Sequence, residues 1–342
     1  MRNRVANTQK FVQLGAIGYA TGKTTKIELE KETFFTSHYL IFDYLMAIVD
    51  GGDAPTDPKD FARILGMIRE LKITINDRDD ILRVSGLDLM AIYVADHGRF
   101  PSSMATVRGT NGQHRDIFPL NQWTTNSDNI ALTGHDFRRV DKVEMHVTWG
   151  AMDDLWGNAG GIEFSNFSMS VESQGHHRYV SPMTGMLREN GRPLRYNPAV
   201  RYFNRTEETF ADSRSTVELG RIERTDNRFS TKGVIMFAQT SDGRINPDAF
   251  SGTITMRQGD TTLSKVSVGV LRASHETAKG QATPNEVLYL PFSALFRYSE
   301  FLNTRNWSDD IIIEGDYTHM GADGDENIVT VLTDSYRQER LR

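Results

Sequence analysis

Several groups of residues in this sequence have types and spacing that could do chemistry. The segment GYATGKTT (Gly18–Thr25) ends like a loop in which backbone N–H groups cradle phosphates and a lysine reaches them. The loop pattern needs a glycine where Ile17 stands, and Gly18 comes one residue late. The chain after Lys23 reads as a strand, so no helix N-terminus would point at a phosphate. The histidines are His38, His97, His114, His135, His146, His176, His177, His275 and His319. None falls in the His-x-x-x-His or His-Glu-x-x-His spacing that sets two ligands on one helical turn. A zinc site would have to be assembled from distant segments.

The run GADGDEN (Gly321–Asn327) spaces Asp323 and Asp325 as a calcium loop does, but lacks a third spaced ligand and leads into a strand. An acidic hairpin loop is expected there, with a calcium contact at a subunit seam as the sharper alternative. Hydrolysis of a glycan needs two carboxylates roughly 5–10 Å apart, in a cleft usually lined by stacking aromatics. Trp123, Trp149, Trp156 and Trp307, with Asp153 and Asp154 between two of them, could supply such a cleft. Aromatics in large loops also serve packing and contacts between subunits. No Gly-x-Ser-x-Gly elbow occurs. The residues favour a protein that is not an enzyme, with no catalytic residue, no metal ligand and no cofactor assigned.

The elements that would position these residues are mostly strands. Alternation places Ile27 and Leu29 on one face of the stretch starting at Thr24, and Leu71, Ile73 and Ile75 on one face of 71–76. Val143, Met145, Val147 and Trp149 share a face. Residues 162–171 alternate and then change phase, which predicts a bulge near Ser165 and Asn166. Further short strands are expected at 234–238, 252–256, 287–290, 311–314 and 328–332. Helical spacing occurs at 58–70, after a capping Asp57, and at 87–96. Short strands separated by Gly, Asn and Asp predict a mainly β protein, a sandwich or barrel with helices in its connections.

An internal repeat divides the chain. ILRVSGLDLMAIYVADHG (Ile81–Gly98) matches LSKVSVGVLRASHETAKG (Leu263–Gly280) at a constant offset of 182 residues. Val84 aligns with Val266, Ser85 with Ser267, Leu89 with Leu271, Ala91 with Ala273 and Gly98 with Gly280. Each copy reads as a strand end, a short helix and a glycine suited to a left-handed helix stop. That spacing is too long for a solenoid or propeller and implies two related domains. The expected division is a basic arm over 1–23, a first barrel over 24–173, a connector over 174–198 and a second barrel over 199–342.

Composition bounds the function. The 342 residues include no cysteine, so disulfides, thiolate metal sites and thiol nucleophiles are excluded. Nothing approaches the roughly eighteen consecutive apolar residues of a membrane-spanning helix, and no signal peptide is read at the start. The net charge of −6 is unevenly spread. No acidic residue precedes Glu28, while Arg2, Arg4, Lys10, Lys23 and Lys26 do; from Ser308 to Tyr336 there are eight acidic residues and no Lys or Arg. Two solvated surfaces would explain this, as would a basic arm that meets an anionic layer.

Two tandem eight-stranded jelly rolls in a chain of this length resemble the double jelly-roll major capsid proteins of tailless icosahedral viruses, and membrane-containing bacteriophages in particular. The resemblance is carried by VSGLDLMAIYVADHG (Val84–Gly98), IEFSNFSMSVESQ (Ile162–Gln174) and IVTVLTDSYRQER (Ile328–Arg340). It implies an all-β fold and a structural protein of the virion, made in the host cytoplasm and forming pseudo-hexameric homotrimers that tile an icosahedral shell. Other virion proteins such as penton or spike are implied partners, and no sequence-specific nucleic acid is. Arg2, Arg4 and Lys10 are then candidates for an arm facing the interior or an internal lipid membrane. A minor vertex or spike protein and a carbohydrate-binding or glycan-hydrolysing β-sandwich are the alternative readings.

Overall fold

The computed structural model describes residues 9–30, 34–48, 61–77, 79–104, 112–120, 135–137, 140–151, 154–155, 162–176, 199–223, 229–292, 302–303, 309–322 and 324–338. The first half contains β1 (Gln9–Gly18), β2 (Thr24–Glu28), β3 (Phe34–Ile48), β4 (Ile68–Ile75), β5 (Asp79–Val84), helix α1 (Gly86–His97), β6 (Gly112–Leu120), the two-residue β7 (His135–Asp136), β8 (Val143–Trp149) and β9 (Ile162–His176). The second half repeats the plan: β10 (Ala199–Phe210), β11 (Arg214–Ile222), β12 (Phe229–Gln239), β13 (Phe250–Gln258), β14 (Thr261–Ser267), helix α2 (Val268–Lys279), β15 (Leu288–Pro291), the two-residue β16 (Leu302–Asn303), β17 (Ile311–Tyr317) and β18 (Asn327–Gln338).

Each half packs two antiparallel sheets face to face. Their main paths are β1-β9-β3-β6 and β2-β8-β4-β5 in the first half, and β10-β18-β12-β15 and β11-β17-β13-β14 in the second. That order is a jelly roll made twice, with the helix in each half between the fifth and sixth strands. Alternation creates the interiors. On β3, Leu40, Phe42, Tyr44 and Met46 point inward, and on β17 so do Ile311, Ile313 and Tyr317.

The expected bulge is present. The β3–β9 register slips between Asp43 and Leu45, opposite Ser168 and Ser165, and Asn166 has φ 56°. Helix α1 covers the expected 87–96. The expected helix at 58–70 does not form over its described part: residues 63–67 make a 3₁₀ turn and β4 starts at Ile68. Arg63 at φ 51°, Gly66, and the β-branched Ile64 and Ile68 oppose a longer α-helix there.

The N-terminal arm also needs correction. Residues 9–18 are not outside the barrel; they form β1, paired along β9 from Gln9 opposite His176 to Gly18 opposite Ser168. Lys10 lies in that strand opposite Gly175, while Arg2 and Arg4 lie outside the described residues.

Candidate functional site

The two barrels meet through α1, whose sequence fits it for burial over most of its surface. Ser85 opens it with a capping box: Asp88 N–H donates to Ser85 Oγ at 3.1 Å, and Ser85 N–H donates to Asp88 Oδ2 at 2.8 Å. At the first helical position only glycine fits, because a Cβ on Gly86 would lie 1.8 Å from the Leu65 carbonyl oxygen. Leu89, Met90, Ala91, Ile92, Val94 and Ala95 are all buried, so apolar side chains surround the helix. One continuous apolar cluster joins them to Ile235, Phe237, Val287, Tyr289 and Leu332 of the second barrel.

The last turn of α1 carries Asp96 into a four-charge cluster. Arg201 of β10 donates to Asp96 through Nη1 (2.6 Å) and Nη2 (3.0 Å), and to Asp334 of β18 through Nε (2.7 Å) and Nη2 (2.6 Å). Lys232 of β12 donates to Asp96 Oδ1 at 2.7 Å and stands 3.4 Å from Asp334 Oδ2. All four side chains are buried. Two cations and two carboxylates balance, which is the condition for holding charge away from water. A bulge aims the lysine: the β12–β18 register shifts between Thr231 and Gly233, leaving Lys232 as the extra residue and turning it toward the first barrel. The Arg201 guanidinium lies 4.7 Å from the ring centre of Phe203 and 5.9 Å from that of Tyr336.

Helix α2 then caps the end of α1. His275 Nε2–H donates to the Ala95 carbonyl at 2.9 Å, Lys279 donates to that of Asp96, and Gln281 donates to that of His97 at 2.9 Å. These carbonyls are the ones a helix C-terminus leaves unsatisfied, and the Lys279 ammonium also meets the negative end of the helix dipole. Gly98 stops α1 in the left-handed region, with φ 69°. A Cβ on it would come within 2.7 Å of Lys279 Cγ and 3.0 Å of Thr283 Cγ2.

Burial and charge oppose each other in this joint. Burial works to raise the Asp96 pKa, yet Arg201 and Lys232 outweigh it and hold the carboxyl well below the usual range. Burial likewise works to lower Arg201, while Asp334 and Asp96 carry it well above its ordinary value. Lys279 is lowered to about 8 by burial, against the pull of Asp96. Burial also lowers His275 and His97, which therefore stay neutral near pH 7. The arrangement offers no nucleophile beside a base and no carboxylate pair facing a cleft. Its chemistry is that of a structural lock.

No family model and no curated protein matches this chain. Solved structures do. The chain is similar to one from the atomic structure of Sulfolobus turreted icosahedral virus, with TM-score 0.69 and 15% identity over 96% of this chain and 91% of that one. The major capsid protein of the same virus gives 0.67 at 14% identity, with 97% of each chain covered. For the major capsid protein of bacteriophage PM2 the values are 0.56 and 9%, over 97% of this chain and 98% of that one. The fold is the double jelly roll.

Within this double jelly roll the other candidate residues separate. Trp149 is fully buried in the first barrel, with Nε1–H donating to Thr25 Oγ1 at 2.9 Å and Tyr19 edge-on at 5.7 Å, so it has no face free for a sugar. Trp123, Trp156, Trp307 and Asp153 lie outside the described residues. Asp154 pairs with Arg69 at 3.1 Å. The GYATGKTT segment is a turn into β2, and the Tyr19 hydroxyl donates to the Gly150 carbonyl at 3.0 Å. In the late acidic loop, Asp325 Oδ2 accepts from Ala322 N–H at 3.3 Å; Asp323 lies outside the described residues. Among the described residues no three His, Asp or Glu side chains are grouped to hold a metal ion. Among them, too, no helix is long and apolar enough to cross a membrane.

The sequence reading missed the joint. Asp334 belongs to the acidic run from Ser308 to Tyr336, yet it is buried against Arg201 rather than solvated. The one local signal was an ionisable residue embedded in apolar sequence: Asp96 ending a helix of apolar residues, and Lys232 just before Val234–Ala238.

Proposed function

We propose that this protein is the major capsid protein of an icosahedral virus, non-enzymatic, assembling as homotrimers with a pseudo-hexagonal outline. One observation carries the reading: the same two-barrel arrangement runs over 97% of this chain and 97% of the major capsid protein of Sulfolobus turreted icosahedral virus. The joint supplies the physical logic. A buried apolar helix and a balanced charge cluster fix the two barrels as one block, so three chains present six similar edges to a flat lattice. Measured by light scattering after size-exclusion chromatography, the native mass is expected near three times 38.7 kDa. A stable monomer at micromolar concentration contradicts the reading.

The same proposal places the protein in the virion shell, beside penton or spike proteins, in the manner of a membrane-containing bacteriophage. Arg2 and Arg4 precede β1 and are assigned to an anionic inner layer such as lipid headgroups. Lys10 shares this assignment only as a residue of β1 itself. Because residues 9–18 are a barrel strand, the informative deletion is 1–8. It is expected to leave trimers intact and to abolish binding to anionic vesicles; unchanged vesicle binding overturns the arm's role.

A further inference from the structure

A crevice of about 600 Å³ opens between the two barrels at the first turn of α1, away from the charge cluster at its last turn. Pockets that take small ligands run from about 300 to 1,000 Å³. Ser85 and Leu87 line it where the barrels join. One wall carries Phe61, Arg63, Arg69, Phe100 and Asp154 of the first barrel. The other carries Arg205, Gln239, Asp242, Arg244 and Glu286 of the second. The buried joint holds both walls as one block, so the width of the crevice is fixed before any ligand arrives.

The lining combines apolar surface with paired donors and acceptors. Phe61 and Phe100 stand edge-on at 5.6 Å, both half-buried, and Arg63 lies over the Phe100 ring at 4.7 Å. Arg69 Nε donates to Asp154 Oδ2 at 3.1 Å, and Arg244 Nε stands 2.9 Å from Asp242 Oδ2 on the opposite wall. A guanidinium presents a fork of donors and a carboxylate only acceptors, so each pair sets donor beside acceptor. Adjacent hydroxyls of a sugar, each of which donates and accepts, are the complement of that arrangement, and the C–H faces of the ring suit the phenylalanines. The Arg69 and Arg244 side chains are 58% and 40% exposed, so both can reach a ligand. Four arginines line the crevice with three carboxylates, a near balance that favours a neutral ligand over an anionic one.

The crevice lies at one end of the first barrel. There the Tyr19 hydroxyl, just after β1, donates to the Gly150 carbonyl at 3.0 Å, and Gly150 N–H donates to the Met67 carbonyl at 2.8 Å. The ten residues of β1 run away from that point, so Gln9 lies about 30 Å off at the far end. Arg2 and Arg4 precede Gln9, and with them on the inner layer the crevice opens outward.

We propose that this crevice binds a neutral hexose oligosaccharide of the host surface. Ring faces rest on Phe61 and Phe100, and hydroxyls bridge the Arg69–Asp154 and Arg244–Asp242 pairs. The outward direction rests on the capsid reading; the binding itself does not.

The full-length protein is applied to an array of neutral mannose-, galactose- and glucose-based oligosaccharides beside sialylated and sulfated ones, and the strongest neutral probe is then titrated by calorimetry. Wild type, Arg69→Ala, Arg244→Ala and, away from the crevice, Glu276→Ala are compared, with circular dichroism, melting temperature and light scattering on the same samples. All three substituted side chains are on the surface, so the variants are expected to keep the wild-type fold. The expected result is capture of a neutral probe by wild type and Glu276→Ala, weakened about tenfold or more in each arginine variant. No capture, capture of acidic probes alone, or neutral binding that either arginine variant leaves unchanged overturns the site. A wild-type trimer that captures nothing overturns it and leaves the capsid reading standing. A monomer that binds through both arginines supports the site and overturns the trimer.

Discussion

Helices α1 and α2 occupy the same place in the two barrels, with the same serine cap and the same left-handed glycine stop, but in opposite surroundings. Nine of the twelve residues of α1 are buried, against three of α2: Val268, Leu271 and His275. Their sequences follow suit, with LMAIYVA in one where the other has LRASHET. The shared caps define the fold and its repeat. The differing faces define where each barrel meets a neighbour: within the chain α1 is covered except at the half-buried Leu87, Tyr93 and His97, whereas α2 is largely open.

Breaking the buried lock should have the largest effect. Arg201→Met leaves Lys232 as the remaining salt-bridge partner of Asp96 and Asp334 among the described residues, and is expected to cost about 3–5 kcal/mol in urea denaturation. On the exposed side of α2, Glu276→Ala should stay within about 0.5 kcal/mol. Equal losses would mean that α1 is not the joint.

The two glycine stops sharpen the contrast. Both Gly98→Ala and Gly280→Ala place a side chain in the left-handed region, at roughly 1–2 kcal/mol. Gly98→Ala should cost about 1–3 kcal/mol more, because its methyl meets Lys279 and Thr283. In the isolated chain the melting temperatures of the two variants are expected in that order.

The caps should differ less. Ser85→Ala and Ser267→Ala each remove one hydrogen bond to the first turn, from Asp88 N–H and Val270 N–H, at about 1 kcal/mol. The loss at Ser85 should be the greater, since that bond belongs to a reciprocal box around a buried aspartate.

A pH dependence is also expected at Lys279. Burial lowers it to about 8 from an ordinary value of about 10.5, so between those pH values the unfolded chain binds more protons there than the folded one. Stability contributed at this position therefore rises as pH rises through that window. The melting temperature of the wild type, relative to Lys279→Met, is expected to climb from pH 8 to pH 10.

Much of the fold was legible in the sequence because it depends on local pattern. Strands β8 and β17 alternate cleanly, and Ser85, Gly98, Ser267 and Gly280 mark both helices. Strand β1 was not legible: Gly15, Ala16 and Gly18 break its alternation, and only pairing with β9 makes it a strand. Strands β10 and β11 also escaped notice, since charged and polar residues dominate 204–208 and 214–218. The joint was invisible for a different reason. Asp96, Arg201, Lys232 and Asp334 lie on four separate elements, and only the second barrel's pairing brings β10, β12 and β18 beside the end of α1.

A cryo-EM reconstruction of the purified oligomer tests most directly whether the joint fixes two barrels as one block of a trimer. It is expected to show a three-fold ring of six barrels, with α1 buried between the two barrels of each chain. Particles without three-fold symmetry, or barrels that turn independently about α1, would contradict it.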